Sequence, residues 1–127
     1  MLGELAAAEQ HVRRAIALQD KALDADDPRR FEALLCLALV LREREPAEAL
    51  AVAERALTLL PAAHPGLEPA AELHETLAIA RVRSGGDRSQ ARASACLSDQ
   101  LRRQAGDASP ASRKPLAASK LLTPPCP

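Results

Sequence analysis

The side chains able to do chemistry are few and scattered. His11, His64 and His74 are the only imidazoles. No two of them stand at i, i+4, the spacing that brings two ligands onto one helical face, and none has a nucleophile close by in an apolar frame. His74, beside Glu72 and Glu75, reads as a surface residue. Glu43 and Glu45 flank Arg44 on a polar turn, which is no arrangement for a paired general acid and base. Gly85-Gly86 stops a helix, because neither GxxxxGK[ST] nor GxGxxG surrounds it. The three cysteines, Cys36, Cys96 and Cys126, are an odd and widely spaced set without a CxxC or Cys/His cluster. They suggest neither a zinc site nor a disulfide framework. Cys36, inside the most apolar stretch, is expected to be a small buried hydrophobe; Cys96 is expected to be half exposed. Together these residues indicate no enzyme, no metal and no cofactor.

Composition narrows the field further. Of 127 residues, 47% are hydrophobic and 27% charged, a globular balance. Phe31 is the only aromatic residue, so the stacking platforms of single-strand nucleic-acid binders are missing. Strands favour aromatic and β-branched side chains, whereas the apolar content here is mostly Ala and Leu. An all-α fold is therefore expected. Seventeen basic and seventeen acidic residues cancel, which gives no electrostatic reason to expect a nucleic acid or a membrane as partner. The acidic start, MLGELAAAEQ, does not read as a signal peptide. No run approaches a membrane span, so a reducing, cytoplasmic setting is expected.

Five helices can be placed on apolar periodicity and on stop signals. The first runs from about Glu4 to Leu23, with Leu5, Val12 and Ile16 on one face. Asp27 and Pro28 open the second, Arg29 to Arg44, which is apolar nearly all round and so expected to be buried on two sides. Pro46 opens the third, which is expected to end near Leu60 before Pro61. The fourth spans about Glu68 to Ser84, and the fifth starts at Asp87 and ends near Gln104 with a thin apolar edge. Residues 1–105 then form the helical domain. Residues 106–127, rich in Pro, Ser and Ala, lack a helical period and are expected to be a disordered tail.

The chain also repeats itself. Ala8, Ala49 and Ala91 begin similar strings and stand 41 and 42 residues apart, the period of a two-helix unit in a solenoid. Glu48-Ala49-Leu50, Ala53, Ala56-Leu57 and Pro61 match the second-helix pattern of tetratricopeptide repeats. Leu34, Leu37 and Ala38 match the first-helix positions of the same repeat, although the turn before Ala49 is one residue short. The string RRAIALQDKALDADDP resembles the longer repeats of the kinesin-light-chain type. The resemblance covers about residues 1–104. It departs from the family at Ser98, which replaces a small Ala, and in lacking the usual aromatics.

The resemblance implies a right-handed solenoid of about two and a half antiparallel αα-hairpins that binds a protein or peptide in a groove lined by first helices. By that analogy the groove residues are Glu32, Leu35, Leu39, Arg42, Glu72, Glu75, Ile79 and Arg83, a mixture suited to a partner with apolar anchors and both charge signs. A clamp for carboxylate tails is disfavoured, since the chain has no Asn and only three lysines. Gly3-Glu4 falls where the family places its inter-helix turn, so the first helix reads as a second helix without its first. Leu5, Val12 and Ile16 would then be an uncovered face, available for self-association or for a missing repeat; an N-terminal capping helix is the alternative. The polar fifth helix reads as a solvating cap.

Overall fold

A computed structural model describes residues 2–107 and 109–127. Among them the fold is all-helical, with six α-helices and no strand. Their bounds are α1 Leu2–Ala22, α2 Phe31–Leu41, α3 Pro46–Ala63, α4 Leu67–Arg83, α5 Arg88–Gln104 and α6 Pro110–Ala118. A 3-10 turn, Pro28–Arg30, leads into α2; Asp27 caps it, accepting from the Arg29 amide at 2.9 Å. Hydrogen bonds from the Arg29 side chain and then its backbone hold the Asp27 carboxyl down to about 2. Asp87 caps α5 in the same way through Ser89 N and Gln90 N. At the end of α4 a Cβ on Gly86 would sit 3.1 Å from the Arg81 carbonyl, a tight contact that a larger residue relieves only by a small backbone shift, and Gly85 takes a positive φ of 77°. The third helix runs on through Pro61 to Ala63. Pro61 is exposed in the last turn, where only its own missing N–H bond is lost.

Consecutive helices pack on one another from α1 to α5, and their short connections make neighbours antiparallel. In addition α2 touches α4, and α4 touches α6. One core fills the space between α2, α3 and α4, with Phe31, Leu34, Leu37, Leu41, Leu59 and Leu77 among its members. Ala49, Ala53 and Ala56 are fully enclosed in it, and these small side chains let α3 approach its neighbours closely. A second, smaller core holds Ala78, Ile79, Ala91 and Ala95 together with Leu116 and Leu121.

The structure departs from the sequence-based expectations in several further places. Val12 and Ile16 are not an uncovered face: both pack against the main core, and only Leu5 of that trio is exposed. The buried side of α5 is not only its thin apolar edge: Ser94, Ser98, Asp99 and Arg102 are buried beside its alanines, while Arg88, Gln90, Gln100 and Arg103 face outward and exposed. The expected disordered tail instead contains α6, started by Ser109, whose hydroxyl accepts from Ala111 N, and it inserts Leu116 and Leu121 into the second core. Tertiary burial of two leucines here outweighs the poor helical propensity of Pro115 and the short length of the helix. Finally, Cys96 and Cys126 form a disulfide across 30 residues, leaving Cys36 as the free thiol.

Candidate functional site

The most enclosed helix is α4, every residue of which is buried from Leu73 to Ala80. It crosses the middle of the fold and carries three polar side chains inside. Glu75, only 3% exposed, accepts from Arg42 of the α2 C-terminus at 2.8 Å and also pairs with Arg102 of α5. Arg42 reaches Thr76 Oγ1 at 3.3 Å, and Ser98 donates to the Ala71 carbonyl at 2.7 Å. Glu75 thus ties three helices together, because a carboxylate in an apolar interior is stable only when paired and hydrogen-bonded. His74, expected on the surface, is buried on the same helix. Its flanking glutamates misled the reading; Leu73 and Leu77 decide the environment.

Burial, and secondarily the nearby Arg81, holds His74 below the ordinary histidine value of 6.5. A lowered folded-state value means the unfolded chain takes up the proton more readily, so stability is greatest above pH 6.5 and declines as pH falls below it. The midpoint of thermal unfolding is expected to drop between pH 7 and pH 5.5, and His74→Gln is expected to flatten that slope. Circular dichroism melts at matched ionic strength check this; equal slopes in the two proteins would contradict it.

Between α2, the start of α4 and the turn joining α3 to α4 lies a cleft of about 460 Å³. Phe31, Leu35 and Leu39 form its floor, Pro65 and Pro69 one wall, and Glu32 and Glu72 its polar rim. A second depression, about 350 Å³, continues it on the other side of α2 toward His11 and Ala15 of α1, sharing Arg29, Glu32 and Cys36. Four of the eight residues expected in the groove (Glu32, Leu35, Leu39 and Glu72) therefore meet in one place. Leu35 offers only an edge, being mostly buried, while Leu39 and Glu72 are half-buried and Glu32 is exposed.

The other four lie elsewhere. Arg42 and Glu75 are consumed by the internal ion pair, so they are not open to a partner. Ile79 and Arg83 border a separate depression of about 240 Å³, whose far wall is Pro115, Ala118 and Ser119 of the C-terminal segment. Arg83 also pairs with Glu43 at 2.7 Å. Once these arginines are spent, the charge left open at the main cleft is acidic: among the described residues neither Glu32 nor Glu72 forms an ion pair, and Arg29 is taken by Asp27 at 2.8 Å.

Cys36, expected to be buried, is exposed on the wall shared by the two depressions. The apolar run of α2 hid this, since a helix buried on two sides still keeps a narrow open edge. Partial burial, then the charges of Glu32 and Glu72, push its thiol up from the ordinary value. The thiol stays protonated at neutral pH and is a poor nucleophile. Among the described residues no group of three His, Cys, Asp or Glu side chains could hold a metal ion, and no described helix is long and apolar enough to cross a membrane. The cleft offers apolar contact and attraction of positive charge.

Comparison with protein-family models, with curated proteins and with solved structures found no match for this chain.

Proposed function

We propose that this chain is a non-enzymatic interaction module, built as tetratricopeptide-like helical hairpins, that holds a segment of a partner protein in the cleft between α2 and α4. The reading draws support from the order of packing, in which each helix from α2 to α5 lies on the next and α2 also touches α4. It draws further support from the enclosed Ala49 and Ala91 at the repeating positions. The observation that carries it is the cleft itself: an apolar lining of Phe31, Leu35 and Leu39 beside two carboxylates that have no ion partner among the described residues. Such a site suits an extended or helical segment with an apolar anchor flanked by Lys or Arg. Self-association through α1 is the weaker reading, because Val12 and Ile16 are already partly buried against the core.

Selection from a displayed peptide library, followed by fluorescence polarisation on the enriched sequences, tests the proposal. Enriched peptides are expected to combine Leu-type anchors with basic residues. Leu39→Glu is expected to weaken them by about tenfold or more, the size of one lost anchor, and Glu72→Lys to invert the charge preference. Enrichment no better than background, or binding indifferent to Leu39→Glu, would sink it.

A further inference from the structure

The C-terminal segment is held by a thin set of contacts. Only Leu116 and Leu121 are fully enclosed, wedged against Ala78 and Ile79 of α4 and Ala91 and Ala95 of α5. The polar grip comes from arginines: Arg113 pairs with Asp99 at 2.6 Å, and Arg92 donates to the carbonyls of Leu121 at 3.0 Å and Pro125 at 3.3 Å. At nine residues, two of them proline, α6 is too short to persist away from its docking face. Its far end is fastened covalently by Cys126 to Cys96 on α5. Beside the two sulfurs a cleft of about 340 Å³ opens, lined by Cys96, Cys126, Leu97 and Arg103. An incoming thiol can therefore reach the bond without unfolding the domain, and accessible disulfides are the exchangeable ones.

What the segment covers matters as much as how it is held. Pro115, Ala118 and Ser119 stand over Ile79, Val82 and Arg83. These residues are the continuation along α4 of the helix face that forms one side of the main cleft. With both ends of the segment tied, at α5 and at Cys126, local opening is followed at once by reclosure, because the tether keeps the effective concentration of the two leucines high. With one end freed, the same few contacts must hold against the regained conformational entropy of the whole segment.

We propose that the Cys96–Cys126 disulfide is a reversible latch, which keeps residues 109–127 strapped over the α4–α5 face, and that reduction by a dithiol releases the strap and uncovers Ile79 and Val82. In the exchange, a thiolate of the reductant attacks Cys126 Sγ; the sulfur–sulfur bond breaks, and Cys96 leaves as a thiolate that takes a proton from water. The second thiol of the reductant then displaces Cys126. Two electrons and two protons pass to the cysteines, and the dithiol leaves as its own disulfide. This mechanism is independent of what occupies the main cleft.

Hydrogen exchange read by mass spectrometry on the full chain tests the latch, with the oxidised protein compared with the same protein in dithiothreitol. Alkylation under denaturing, non-reducing conditions comes first and is expected to label Cys36 alone; labelling of all three cysteines would overturn the proposal. On reduction, exchange in residues 110–122 is expected to accelerate about tenfold or more, as for a locally opening unit. The α2–α3 core, residues 34–59, is expected to keep its protection. Cys126→Ser should match the reduced protein, and reoxidation of the wild type should restore slow exchange. Unchanged exchange in 110–122 on reduction overturns the latch. So does loss of protection throughout residues 34–59, which would make the disulfide a staple of the whole fold. A binding failure in the peptide selection would leave these exchange results untouched, so the two proposals can fail separately.

Discussion

Glu75→Ala is expected to lower the unfolding free energy by about 3 kcal/mol, the lower end of the range for breaking a buried ion pair. The lower end applies because the Arg42 guanidinium retains some contact with water, whereas Arg102 is left buried without its carboxylate. Much of the loss is the cost of stranding that charge rather than the worth of the pair. Combining Glu75→Leu with Arg102→Met is therefore expected to recover a large part of it, since apolar replacements of the whole pair are often neutral. Urea titrations followed by circular dichroism at 222 nm are the suitable measurement in a chain without Trp or Tyr. A midpoint for Glu75→Ala within error of the wild type would show that the carboxylate is not the tie between α2, α4 and α5 described above.

Leu77→Ala is expected to be comparably damaging, at about 2–5 kcal/mol. Leu77 is 1% exposed and sits where α4 meets the leucines of α2 and α3, so its removal leaves a cavity that close-packed alanines on α3 cannot move to fill. The matched control is Leu18→Ala on α1, 62% exposed, for which a change within about 0.5 kcal/mol is expected. The same titrations check both. Similar losses at the two positions would mean that the two-sided burial of α4 is wrong.

The first five helices were legible from apolar periodicity and from local signals: Asp27-Pro28, Pro46 and Asp87 at starts, Gly85-Gly86 at a stop. Such signals act within one turn and need no knowledge of the partner helix. The centrality of α4 was not legible, because His74, Glu75 and Thr76 interrupt the apolar pattern. The arginines that satisfy Glu75 come from other helices, at Arg42 and Arg102, and no local rule pairs them. The tail failed for a related reason. Pro110, Pro115 and Pro124 argue against order locally, but Leu116 and Leu121 find the face of Ala78, Ile79, Ala91 and Ala95, and Cys126 finds Cys96. Neither encounter leaves a spacing signature.

Of the eight residues that the analogy with helical repeats assigns to a groove, Glu32, Leu35, Leu39 and Glu72 line one cleft. The analogy misplaced Arg42 and Glu75 because position on a first helix does not say whether a charge meets solvent or a countercharge. Cys36 was assigned to the interior on composition alone. Its open edge lies where the cleft toward α4 and the depression toward α1 meet, which only the packed structure reveals.

The order in which the helices touch also shapes how the molecule comes to be. Nearly every contact joins an element to the next one along the chain or the next but one, so little of the chain has to be looped out before native contacts form. Topologies dominated by such local pairings belong to the rapid folders, with rates set by short closures rather than by distant searches. The one covalent link spans 30 residues, and its two sulfurs meet only once α6 lies on the finished α4–α5 pair. Oxidation is then expected to follow the packing of α6, which quenching the refolding, reduced chain with a thiol-blocking reagent at successive times checks.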